Sequence, residues 1–82
     1  DVVIDTVSSW VYIGTLSDIR NNTIILTNLD AHETRDTETT KEIYIHETRT
    51  TGIRINRTRA FVNLDMVVSV SLLADVKTFQ AG

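Results

Sequence analysis

With 82 residues, a net charge of −3 and no cysteine, the chain is a single domain (1–82) that cannot be stapled by disulfides and is not uniformly basic like a protein gripping nucleic acid over its whole surface. Its longest apolar run falls far short of the roughly 20 residues that a membrane span requires, and no charged-then-apolar leader opens it, so a soluble, cytoplasmic protein with no membrane partner is expected. A chain this short buries only about 60–65% of its unfolded surface, so its stability has to come from packing or from association.

The chain opens at Asp1 rather than Met, so a residue or tag ahead of it is expected to be missing. Residues 1–6, DVVIDT, read as a short strand with Val2 and Ile4 on one face and Val3 and Asp5 on the other, followed by a Val7-Ser8-Ser9 turn. Residues 10–29, WVYIGTLSDIRNNTIILTNL, read as two long strands joined at Arg20-Asn21-Asn22, residues that tolerate the left-handed backbone of a hairpin turn. Trp10, Tyr12 and Leu16 share a face there, and Gly14 marks a place where another backbone comes close. Abundant Thr, Val and Ile and a lack of proline suit a continuously paired sheet.

After Leu29 the apolar pattern breaks, and residues 30–40, DAHETRDTETT, are expected to form a surface loop. A helix is predicted over 40–51, with Thr39 as N-cap, Glu42 closing a capping box, Ile43, Tyr44 and the stem of Glu47 on one side, and Gly52 as its stop. The Ile43-Tyr44-Ile45 run reads equally well as strand. Ile53-Arg54-Ile55 alternates, Arg57-Thr58 separates it from a strand over 60–64, and Asp65-Met66 makes a tight turn. Residues 67–73, VVSVSLL, have a period of two, which predicts Val68, Val70 and Leu72 inward and Ser69 and Ser71 outward. The tail from Asp75 is expected to fray. Five short strands and one helix imply an all-β fold, a small closed SH3-like barrel with a helix inserted between strands 3 and 4, because an open sheet would leave edges exposed.

Charge is unevenly spread. Between residues 30 and 47, Asp30, Glu33, Asp36, Glu38, Glu42 and Glu47 face only Arg35 and Lys41, whereas 48–64 carries Arg49, Arg54, Arg57 and Arg59 without an acidic residue. These arginines read as a solvated face, as partners of an acidic segment in the same or a neighbouring chain, or as a loose electrostatic contact for RNA through Arg54, Arg57 and Arg59. His32 and His46 sit among carboxylates without metal-ligand spacing and read as parts of a solvated acidic segment, so neither a metal nor another cofactor is expected. The tetrapeptide His-Glu-Thr-Arg occurs at 32–35 and again at 46–49, as chance or local duplication. No phosphate-binding glycine loop and no nucleophile with a positioned base is legible, so the chain is expected not to be an enzyme. Trp10, Tyr12 and Phe61 read as core or interface residues.

The register of these elements resembles the Sm and Sm-like (LSm) family, as a short bacterial or phage-type member with a helical insertion at about 31–52. The strand at residues 2–6, the Val7-Ser8-Ser9 turn, Tyr12, Gly14, Leu16 and Ile24-Ile25-Leu26 follow the first family motif, with the hairpin turn one residue shorter. Ala60-Phe61-Val62, the turn at 63–66 and Val67-Val68-Ser69-Val70 follow the second. The match covers most of residues 2–31 and 60–72, and similar spacing also occurs in other SH3-like barrels. The resemblance implies a homo-oligomeric ring of about five to seven subunits, closed by pairing the fourth strand of one copy, around Phe61, with the fifth strand of the next, around Val70. It also implies an RNA-binding or RNA-chaperone module, with Asn22 and Asn63 at the family's RNA-contacting turns. Members that bind RNA place an aromatic and an Asn in the hairpin turn and an Arg-Gly pair in the second. Here Asn22 and Thr23 flank the expected Asn position with no aromatic beside them, and Asn63-Leu64 replaces Arg-Gly. The alternative is a non-catalytic structural ring that ignores RNA and meets a protein partner through its acidic insertion.

Overall fold

The computed structural model describes residues 1–36 and 40–77. Its strands are β1 (Val2–Thr6), β2 (Trp10–Arg20), β3 (Thr23–Glu33), β4 (Arg57–Asn63) and β5 (Val67–Leu72), and its helix is α1 (Lys41–Thr51), between β3 and β4. The strands form one antiparallel sheet in the order β4-β3-β2-β1-β5. Val2 and Ile4 of β1, Ile24, Leu26, Leu29 and Ala31 of β3 and Val62 of β4 share one core, against which Val67 of β5 also packs. Both edge strands thus feed the same interior, which requires the sheet to curl into a barrel-like form.

The curl is set where β2 and β3 lose register, between Ile13 and Thr15 and again between Leu16 and Asp18. Gly14 sits at the first shift. A β-carbon there would lie 2.5 Å from Leu29 Cβ and 2.8 Å from Leu29 Cα, so only glycine lets β3 pass this closely. Asn28, opposite, takes a φ of 47°, and the chain flips so that Leu29 points into the core.

The outer face of β1 and β2 carries a second core of Val3, Val11 and Ile13, covered by Tyr44 of α1 and by Leu73. The helix starts at Thr40, whose Oγ1 accepts from the Ile43 amide at 3.2 Å. Thr40 therefore holds the N-cap role expected of Thr39, and Thr39 itself lies outside the described residues. Tyr44 and Thr48, one turn apart, face the sheet. Ile43 and Glu47, expected on that side, are exposed, because the buried stripe centres one residue further on. Gly52 stops the helix as expected, at a φ of 93°, with its N–H donating to Thr48 O at 2.8 Å. At the other end the Lys41 ammonium donates to Asp5 Oδ1 (2.7 Å), Thr6 O (2.9 Å) and Ser8 O (2.7 Å), tying the helix start to the β1–β2 turn.

Further expectations fail in instructive ways. The strand expected over 60–64 runs instead from Arg57 to Asn63, so Arg57-Thr58 belongs to the strand rather than separating it from what precedes, and Leu64 opens the following 3-10 turn. Residues 30–33 are not loop: β3 runs on to Glu33, followed by a 3-10 turn at Thr34–Asp36, so 31–33 of the expected insertion belong to the sheet. The cause is tertiary, since Asp30 is buried but accepts from Tyr44 Oη at 2.6 Å and from Asn56 Nδ2 at 2.8 Å. Val68, Val70 and Leu72 are not enclosed but 62%, 49% and 53% exposed. Val70 and Leu72 do lie opposite the buried Ile4 and Val2, yet β5 is an edge of the sheet and no further strand among the described residues covers them. Finally, the tail is not frayed from Asp75: Leu73–Asp75 forms a 3-10 turn with Leu73 buried, and residues 78–82 lie outside the described residues.

Candidate nucleic-acid interface

The β2–β3 turn is the two-residue Asn21-Asn22, with φ of 47° and 62°, the left-handed pair that matches strand twist and that asparagine tolerates. The β4–β5 turn begins at Asn63, whose Oδ1 accepts from the Asp65 amide at 2.9 Å and caps the 3-10 turn Leu64–Met66. These two turns meet. Asn22 Nδ2 donates to Asn63 Oδ1 at 3.2 Å, and the Leu64 amide donates to Asn22 O at 2.9 Å. The structure thus brings together two candidate residues that are 41 positions apart in the chain. Both are exposed. The remaining amide hydrogens of Asn63 and the carbonyl of Asn22 have donor and acceptor capacity suited to the edge of a base.

The three arginine candidates do not join them. Arg59 lies opposite Thr27 and Arg57 opposite Leu29 on β4. Four residues of strand put Arg59 about 13 Å from Asn63, with Arg57 further along. Arg54 lies before the strand, at the mouth of a cavity of about 150 Å³ that Asp30, His32, Tyr44 and Glu47 also line. Arg54, Arg57 and Arg59 are exposed, and none makes an ion pair among the described residues. Phe61 is 66% exposed, so it is no part of the core; on β4 it follows the same alternation as Arg57, Arg59 and Asn63. Its pairing with Ile25, and the burial of Val62 beside it, are the strand-parity signals that place it outside.

His32 departs from the solvated setting expected of it. Its ring stacks on Tyr44 with centroids 4.0 Å apart and planes 7° from parallel, and its Nε2 is enclosed without a hydrogen-bond partner. The Tyr44 phenol is held well above its ordinary pKa, first by burial and then by its bond to Asp30 and that carboxyl's charge. The two His-Glu-Thr-Arg copies share no conformation, the first lying at the end of β3 and the following turn, the second within α1. Among the described residues, no three His, Cys, Asp or Glu side chains are grouped to hold a metal ion, and no helix is long and apolar enough to cross a membrane. Comparison with protein-family models, with curated proteins and with solved structures gave no match to this chain.

Proposed function

We propose that this chain is an Sm-like, ring-forming subunit whose Asn22 and Asn63 turns contact RNA. The observation that carries this reading is the 3.2 Å bond between those two asparagines, because the two turns that the resemblance marks for RNA contact lie against each other on an exposed part of the barrel. Ring closure draws support from the two open edges, β4 and β5, with Phe61, Val68, Val70 and Leu72 exposed along them. A ring repeats the asparagine pair once per subunit, which turns weak single contacts into avidity along a strand of RNA. The role is non-catalytic and cytoplasmic.

The test is light scattering for mass beside fluorescence anisotropy with labelled U-rich, A-rich and mixed RNAs at two salt concentrations. The expected result is an oligomer whose RNA affinity falls with salt. A stable monomer at micromolar concentration overturns the ring. A second reading, a structural ring whose acidic insertion meets a protein partner, is favoured by one observation: Asn63-Leu64 stands where a stacking arginine would be, and no aromatic flanks Asn22. A well-formed ring indifferent to every oligonucleotide selects it.

A further inference from the structure

A groove of about 410 Å³ runs between α1 and the β1–β5 edge. Val3, Ile45 and Val76 supply apolar surface to it, and Asp5, Glu42 and Asp75 supply carboxyls. Lys77 also lines the groove and Lys41 is bound to Asp5, while Glu42 and Asp75 are exposed carboxyls that make no ion pair among the described residues. On β5 only Ser69 and Ser71 face it, two small side chains at the open edge.

Resting on the edge-to-edge assembly proposed above, we infer that this groove receives the outer face of β4 from a second copy of the chain, with Phe61 entering its apolar part and Arg57 and Arg59 meeting Glu42 and Asp75. The argument is one of sheet parity. Ser69 and Ser71 lie opposite Asp5 and Val3, so they belong to the outer, helix-bearing face, whereas Val70 and Leu72 lie opposite Ile4 and Val2 on the inner face. On β4, Val62 and Ala60 lie opposite Ile24 and Leu26 on the inner face, which leaves Arg59 and Phe61 on the outer one, while Arg57, opposite the core residue Leu29, is exposed at the first position of the strand. When β4 of one copy extends the sheet beyond β5 of another, inner meets inner and outer meets outer. The exposed valines then gain Ala60 and Val62 as neighbours, and the unpaired arginines arrive beside a groove rich in carboxyls. An antiparallel approach sets Arg57 toward the Leu72 end, the end nearest Asp75. The serines, being small, leave the way open for long side chains from the incoming strand. These arginines are thereby assigned to the joint between copies, and RNA contact is left to the asparagine turns.

The experiment measures self-association of the whole chain by sedimentation equilibrium. R57E/R59E and E42R/D75R are each expected to raise the dissociation constant by about tenfold or more, and the four substitutions combined in one chain are expected to restore assembly. Phe61→Ser is expected to weaken association independently of charge. All five positions are exposed, and circular dichroism checks that each variant folds. Assembly of the parent chain that survives both reversals unchanged, or a quadruple variant no better than the doubles, overturns the groove as receiver while leaving the ring standing. A monomeric parent chain overturns the ring itself, and this inference with it.

Discussion

The Tyr44 hydroxyl donates to Asp30 Oδ2 at 2.6 Å, joining α1 to the stretch of β3 that has no apolar pattern to hold it. Both residues are buried. Tyr44→Phe keeps the ring against His32 and the outer core but removes one of Asp30's two side-chain donors. A loss of about 1–3 kcal/mol is expected, read as a lower urea midpoint at unchanged slope.

The same bond has a pH signature. The Tyr44 phenol is raised above its unfolded value of 10.0, so the unfolded chain releases that proton at lower pH than the folded one. Its contribution is therefore complete below pH 10 and is lost as pH climbs through the folded value. Stability is expected to fall above pH 10, and Tyr44→Phe is expected to flatten that part of the profile, as measured by denaturant midpoints across alkaline pH.

Gly14→Ala places a methyl 2.5 Å from Leu29 Cβ and 2.8 Å from Leu29 Cα. Backbone on a paired strand cannot step aside as a flexible side chain would, so the register shift that curls β2 over β3 has to open. A destabilisation of about 1–3 kcal/mol is expected, with a matching drop in thermal midpoint.

Lys41→Met keeps the aliphatic stem and removes an ammonium bound by Asp5, Thr6 O and Ser8 O. The group is only 26% exposed and its acid partner 33%, so water replaces these bonds incompletely. A loss of about 1–2 kcal/mol is expected, concentrated in faster hydrogen exchange through the first turn of α1.

Asn22→Gly is the cleanest probe of the asparagine pair. At a φ of 62° glycine keeps the turn without strain, so stability should move by no more than about 0.5 kcal/mol. RNA affinity of the assembled protein should fall about three- to tenfold, measured by anisotropy at low salt.

What was legible in the residues follows from how local its cause is. The Asn21-Asn22 turn and the Gly52 stop are dictated by neighbours in sequence, and they are where the pattern puts them. The extension of β3 was not legible, because Asp30 is tolerable in a strand only through Tyr44 and Asn56, which lie 14 and 26 residues away. Alternation over 67–72 correctly separated serines from valines but carried no information on whether anything covers the valines, since that depends on β5 lying at the edge of the sheet. Of the candidate interface, Asn22 and Asn63 emerged together only through the family resemblance. No property of either residue alone announces a bond across 41 positions.

Asn56 acts at the base of the helical excursion much as a strand residue would: its Oδ1 accepts from Ala31 N at 2.9 Å, its Nδ2 reaches Ala31 O at 3.0 Å, and its own amide donates to Leu29 O at 2.9 Å. The chain leaves the sheet after Glu33 and is fastened back onto β3, at Leu29 and Ala31, by Asn56. A detour that returns near its origin imposes no offset on the strands either side, so its length can change while β3 and β4 stay in step, provided that a helix still sets Tyr44 over the outer core and Asp30. The segment behaves as a graft, a place where the barrel can acquire or exchange an outer layer without renegotiating its own register.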